Sequence, residues 1–263
     1  AWAGPIWNWS FDAVQVGADY DPQAGFLLRS GIRRYFPNII FEPRPQGLGV
    51  RNLHFGFSAD VITDLDNRIE SRFLSADVAG VRFRSEDQLT LFVDSSFDRV
   101  PAAFPIGPVS VAPGEYSFND VGINYYTNDS RWLSASGYLL KGDYYGGKRL
   151  SSSADVIVRA SRHLRFDTIW QRDDLDFKGG SFVSNIIRQR VGVSLTPTLS
   201  TNAYVQYNDL GNLLSLNLRF NWTYRPGSDI FFIFNQNWNS HGLTNLSFQD
   251  RAVILKLTYL IQI

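Results

Sequence analysis

Ser215-Leu216-Asn217-Leu218-Arg219-Phe220-Asn221-Trp222-Thr223-Tyr224-Arg225 is the stretch that decides the fold. In an extended chain, Leu216, Leu218, Phe220, Trp222 and Tyr224 point to one face. Ser215, Asn217, Arg219, Asn221, Thr223 and Arg225 point to the other. Working outward, Ala203, Val205 and Tyr207 alternate with Asn202, Gln206 and Asn208, and Ala154, Val156, Val158 and Ala160 alternate with Ser153, Asp155 and Arg159. Val253, Leu255, Leu257, Tyr259, Ile261 and Ile263 form a further apolar row opposite Lys256, Thr258 and Gln262. No sustained stripe of helical period competes with this alternation, so the chain reads as all-β.

Composition bounds the alternatives. The 263 residues carry 25 Lys+Arg against 25 Asp+Glu, 44% hydrophobic and 15% aromatic residues, no Cys and no Met. That aromatic content is incompatible with disorder, and without cysteine there is neither a disulfide framework nor a thiolate metal site. The balanced charge lacks the Lys/Arg excess of a nucleic-acid binder, so no nucleic-acid partner is expected. A spanning helix needs ~20 apolar residues, whereas the longest uninterrupted run here is Ile230 to Phe234.

Strand length separates a membrane barrel from a soluble sandwich. Fourteen segments are expected, at 10–20, 33–43, 49–63, 67–84, 87–97, 115–127, 131–143, 148–160, 163–173, 181–196, 199–208, 213–225, 229–239 and 251–263. Most reach the about nine to eleven residues that cross a bilayer, against about five to six for globular strands. Tight turns such as Ser85-Glu86-Asp87, Thr196-Pro197-Thr198 and Arg225-Pro226-Gly227-Ser228 are expected after even segments. More variable links follow odd ones: Asp21–Ile32, Phe97–Gly114, Asp143–Lys148 and Ser240–Asp250. The expectation is a transmembrane antiparallel β-barrel of about 14 strands with periplasmic termini, in the bacterial outer membrane. Its partners would be outer-membrane lipid, lipopolysaccharide and the barrel assembly machinery. Residues 1–9 read as a linker from a preceding domain, and 1–263 as one barrel domain.

In that arrangement the apolar rows face lipid. Trp222, Tyr224, Tyr125 and Phe41 are expected in a girdle at the periplasmic rim, and Trp170, Tyr20, Tyr144 and Trp238 at the outer one. Residues 67–84 change phase, since Ile69 and Phe73 share a face onto which Asp77 then falls, which predicts a bulge or a tilt into loop.

The polar rows would line the lumen. Candidate lining residues are His54, Asp60, Arg68, Glu70, Arg72, Asp94, Asp120, Asp155, Arg159, Arg165, Asp167, Arg188, Arg190 and Arg219, with Arg34 and Glu42 on the same face. Such a densely charged, nearly balanced interior fits either a water-filled channel or a lumen braced by ion pairs. Among the histidines, His54 faces this row without an evident sequence partner for general-base work. His163 sits at a turn and His241 in a loop, and neither has metal-ligand spacing. The loop clusters Asp64-Leu65-Asp66-Asn67 and Asp173-Asp174-Leu175-Asp176 could hold Ca²⁺ or bridge divalent ions to lipopolysaccharide, but neither matches a calcium loop and both read better as solvated carboxylates. No metal, cofactor or catalytic residue is expected. The proline-rich link at 97–114 reads as a stiff, non-helical segment that folds inward or covers the mouth.

Several turn and loop signatures resemble one bacterial family. They are Asp21-Pro22, Gly25-Phe26, Arg29, Arg33-Arg34 and Pro43-Arg44-Pro45, then Tyr224-Arg225-Pro226-Gly227-Ser228-Asp229 with the Phe-rich strand ending in Asn235, and Arg251-Ala252 leading to Leu255-Lys256 and Tyr259. The family is uncharacterised and joins an N-terminal domain similar to carbohydrate-binding module family 9 to a C-terminal outer-membrane barrel. The resemblance covers the barrel half. It implies membrane anchorage and, through the other half, a small polar or glycan ligand; it carries no catalytic residues. Two other classes remain open from the residues: an outer-membrane hydrolase with a lumen or loop site, and a soluble carbohydrate-binding β-domain. Neither a G-x-S-x-G elbow nor an H-E-x-x-H is present to support the hydrolase.

Overall fold

The computed structural model describes residues 1–23, 29–47, 49–242 and 244–261. The described residues form no helix and seventeen strands: β1 (Trp2–Ala3), β2 (Trp7–Val16), β3 (Ile32–Phe41), β4 (Val50–Asp64), β5 (Ile69–Phe83), β6 (Gln88–Val100), β7 (Phe104–Ile106), β8 (Val109–Val111), β9 (Gly114–Tyr126), β10 (Leu133–Tyr144), β11 (Gly147–Arg159), β12 (Leu164–Phe177), β13 (Gly180–Thr196), β14 (Leu199–Asn208), β15 (Leu213–Arg225), β16 (Ser228–Ser240) and β17 (Leu246–Leu257). Fifteen of them pair in chain order, β1 through β6 and then β9 through β17; β7 and β8 make a separate hairpin. The pairings recorded along this order are antiparallel, and all fourteen expected segments are present as long strands.

The boundaries agree best where the alternation is purest. Strands β14 and β15 match their expected limits, whereas the ends of the chain do not. Residues 1–9 are not simply a linker, because Trp2–Ala3 pairs with Trp9–Asn8 and β2 already begins at Trp7. The last strand starts at Leu246 rather than 251 and ends at Leu257, so Tyr259 and Ile261 lie beyond it, and Ile263 falls outside the described residues. One further pair follows beside the β15–β16 turn, where Asp229 and Thr258 exchange backbone hydrogen bonds at 2.9 and 3.2 Å.

The turns follow their sequence chemistry. Pro226-Gly227 closes β15 onto β16 with Arg225 opposite Ser228, and Gly227 takes φ +77°, the value a proline-led type II turn requires at its third residue. The link expected over Asp143–Lys148 shrinks to Tyr145-Gly146, both at positive φ (43° and 79°), a type I′ turn in which a tyrosine occupies an unfavoured site. This connection and residues 178–179 are among the tightest in the chain, so the expected sorting of short and long links holds only in part. The longest links, residues 17–31 and 101–113, do belong to the expected long set.

Residues 101–113 are ordered as the β7–β8 hairpin. Phe104 meets Tyr145 edge-on at 5.3 Å, Tyr116 donates to the Ala112 carbonyl at 2.9 Å, and Val111 is buried. These contacts belong to an aromatic cluster of Tyr116, Phe118, Tyr144, Tyr145, Phe177 and Phe182. Tyr144 is therefore not on an outward girdle row. It packs against buried Phe118 and beneath Arg149, on the face that carries Asp120. Burial, and then the hydrogen bond to Asp98 at 2.8 Å, hold the Tyr145 phenol at the turn well above its ordinary value.

The structure divides into two compact units. One comprises Ala1–Tyr125, Tyr138–Leu150 and Leu175–Phe182; the other comprises Tyr126–Gly137, Ser151–Asp174 and Val183–Ile263. Strands β9 to β13 contribute residues to both. In each unit the apolar row is left largely uncovered: Trp9 and Phe11 are 49% and 56% exposed in the first, Val253 and Leu255 58% and 64% in the second. On that row Trp7 stacks on Phe41 at 4.4 Å, and Trp222 meets Tyr224 at 6.1 Å.

Candidate functional site

The polar face of the first unit holds His54 between two carboxylates. Its Nδ1 lies 3.2 Å from Glu42 Oε1 and its Nε2 3.0 Å from Asp77 Oδ2. Register explains the meeting: His54 pairs with Gly80 and Gly56 with Asp77, across a shift that leaves Val78 as an extra residue. This bulge lies within 67–84 but beyond Asp77, and Phe73 and Asp77 share a face without any shift between them. A Cβ on Gly80 would stand 3.0 Å from His54 Cβ and 3.1 Å from its carbonyl, so this glycine admits the His54 backbone, while a Cβ on Gly56 would stand 3.4 Å from His54 Nε2 and 3.0 Å from Asp77 Oδ2. Both ring nitrogens are engaged, and a base needs a free one within reach of a proton. The geometry makes His54 a brace across β3, β4 and β5. Replacing it with alanine leaves Glu42 and Asp77 facing each other, and is expected to cost about 1–3 kcal/mol of unfolding free energy, measured by urea titration of the refolded protein.

Beside this brace, Arg34 grips Asp60 with two parallel bonds of 2.8 and 2.6 Å. Asp94 stands opposite Ser75, on the row of Ser58 and Asp60, within electrostatic reach of Asp77, Asp120 and Arg149. Asp120 is buried and bonded to Arg149 at 2.7 Å. Lys148 pairs with Asp143 near the type I′ turn, beside a cleft of about 500 Å³ also lined by Ser117, Asp176, Phe177 and Lys178.

Three expected lining residues of this unit fall elsewhere. Arg72 is opposite Val61 and Phe97, on the apolar row, while its neighbour Phe73 takes the place opposite Asp60. A second register shift, between Ile62–Ser71 and Thr63–Ile69, inserts Glu70 as an extra residue and reverses the phase. Glu70 itself lies 4.0 Å from Arg29. Arg68 is in the β4–β5 turn, where the Asp64 side chain accepts its backbone N–H at 2.8 Å.

The second unit carries the remaining candidates on its polar face. Arg188 and Arg190 pair with Gln206 and Tyr204, and Arg219 with Asn202. Arg165 bonds Asp167 at 2.6 Å, with Asp155 within electrostatic reach of both. Arg159 donates to the Arg131 carbonyl and the Ser134 hydroxyl at 3.1 and 3.3 Å. Arg219 bonds Asn217, which in turn bonds Asn235. Among the described residues no group of three or more His, Asp or Glu side chains is arranged to hold a metal ion. Neither the protein-family models nor the curated proteins compared with this sequence match it.

Proposed function

We propose that the chain is an integral outer-membrane β-barrel that anchors a larger protein and passes or handles small polar solutes, as the resemblance to the barrel half of the carbohydrate-binding-module-linked family implies. The observation that carries this reading is the uncovered apolar row on fourteen long strands, backed by a face of charged and amide side chains. A water-soluble protein rarely leaves so much contiguous aliphatic and aromatic surface bare, whereas hydrocarbon requires it and requires the backbone to pair within a closed sheet. The stacked Trp7–Phe41 pair and the edge-on Trp222–Tyr224 pair suit an interfacial girdle. The soluble lectin-like alternative would need that row covered, and the hydrolase alternative would need a free base that His54 does not offer.

Two measurements test the reading together. Purified, refolded chain should run as distinct bands with and without boiling, and should give discrete steady openings in a planar bilayer. A folded but silent barrel would overturn passage and leave anchorage; a chain that stays monodisperse in water without detergent would overturn both.

A further inference from the structure

The turn ends of β11–β12 and β13–β14 enclose a cleft of about 360 Å³ whose lining includes Arg159, Arg162, Arg165 and Arg190 against a single carboxylate, Asp167. The lining therefore carries three positive charges in excess, or two once Asp155, close to Arg165, is counted. We propose that this cleft binds a small oxyanion, a phosphoryl or carboxylate group of a soluble ligand, with Arg162, Arg165 and Arg190 as its donors.

The argument rests on donors left over. A guanidinium offers five N–H groups and no acceptor. Arg165 spends its Nε on Asp167 at 2.6 Å, and Arg162 spends its Nε on His163 Nε2 at 2.8 Å. Arg190 directs Nε and one Nη to the same Asn202 oxygen at 3.3 and 3.0 Å, with Asp167 only 4.0 Å from its other Nη. Among the described residues the other guanidinium nitrogens of Arg162 and Arg165 have no protein acceptor. Oxyanions match such planar forks in pairs of parallel bonds.

The forks are also held before any ligand arrives. His163 lies 2.6 Å through Nδ1 from the Ser194 carbonyl, an acceptor, so Nδ1 carries the proton and Nε2 is left to accept from Arg162. Arg190 lies over the Tyr204 ring at 5.3 Å. Ordering these long side chains in advance lowers the entropy lost on binding. The inference stands on the second unit alone and does not depend on conduction.

The test is calorimetric titration of the full refolded chain with inorganic phosphate at low ionic strength, with malonate as the carboxylate arm. Saturable one-site binding is expected for at least one of them, and the stronger arm assigns the ligand group. Arg162→Gln and Arg190→Gln should each weaken it by about tenfold or more. Arg225→Gln, which removes the same charge at another turn, should change it less than about twofold. If a glutamine variant loses its heat-modifiable band, Arg162→Lys decides, because it keeps the charge and loses the fork. Non-saturable uptake, or equal weakening by Arg225→Gln, would overturn the site and reduce the cluster to solvated arginines.

Discussion

Leu218→Arg is expected to abolish stable insertion, while Ser215→Arg on the same strand leaves it intact. Leu218 stands mid-strand in β15 between Ala203 of β14 and Phe234 of β16, all on the apolar row. A cationic side chain on the lipid face of a barrel costs about 2–4 kcal/mol at the bilayer midplane, a large share of what a small barrel has to lose. Ser215 pairs with Gln206 and Asn237 on the opposite face, where a guanidinium has water and amides for company. The measurement is the heat-modifiable fraction after refolding into liposomes, with urea midpoints for whatever folds. Equal folding of the two variants would mean that the Leu218 row does not meet hydrocarbon.

That contrast uses only what alternation makes legible. Side chains repeat every two residues in a strand, so Ser215–Arg225 announces its two faces without knowledge of its neighbours. Register is a different kind of information. Nothing local to Arg72 tells that Glu70 is an extra residue, yet that one insertion moves Arg72 to the apolar row and turns Phe73 to the polar one. His54 could be placed on the polar row, but its partners lie 12 and 23 residues away and meet it only through pairing. The available signal was glycine: Gly80 lets the His54 backbone approach closely, and Gly56 leaves room beside its Nε2 and Asp77. Tyr145-Gly146 escaped for the opposite reason, because tyrosine at positive φ gives no turn signature.

The ion pair between Arg149 and Asp120 should prove the most sensitive point of the polar face. Asp120 keeps only 3% of its side-chain surface, and Arg149 22%, with 2.7 Å between them. The guanidinium also sits 4.5 Å above the Tyr144 ring, which ties it to the aromatic cluster at the type I′ turn. Asp143 lies within electrostatic reach of Asp120, and Asp120 within reach of Asp94. Arg149→Leu removes the cation from this acidic group and leaves a buried carboxylate uncompensated, which in general costs about 3–5 kcal/mol. Adding Asp120→Asn to the Arg149→Leu background should restore most of the loss, because the orphaned charge is then gone, and the cycle isolates the coupling from each side chain's packing. Urea midpoints of the wild type, the two single variants and the double variant give the answer. A cost below about 1 kcal/mol for Arg149→Leu would mean that water reaches Asp120 and screens it as at an exposed site. The same cycle thus separates a polar face braced by ion pairs from one that water reaches.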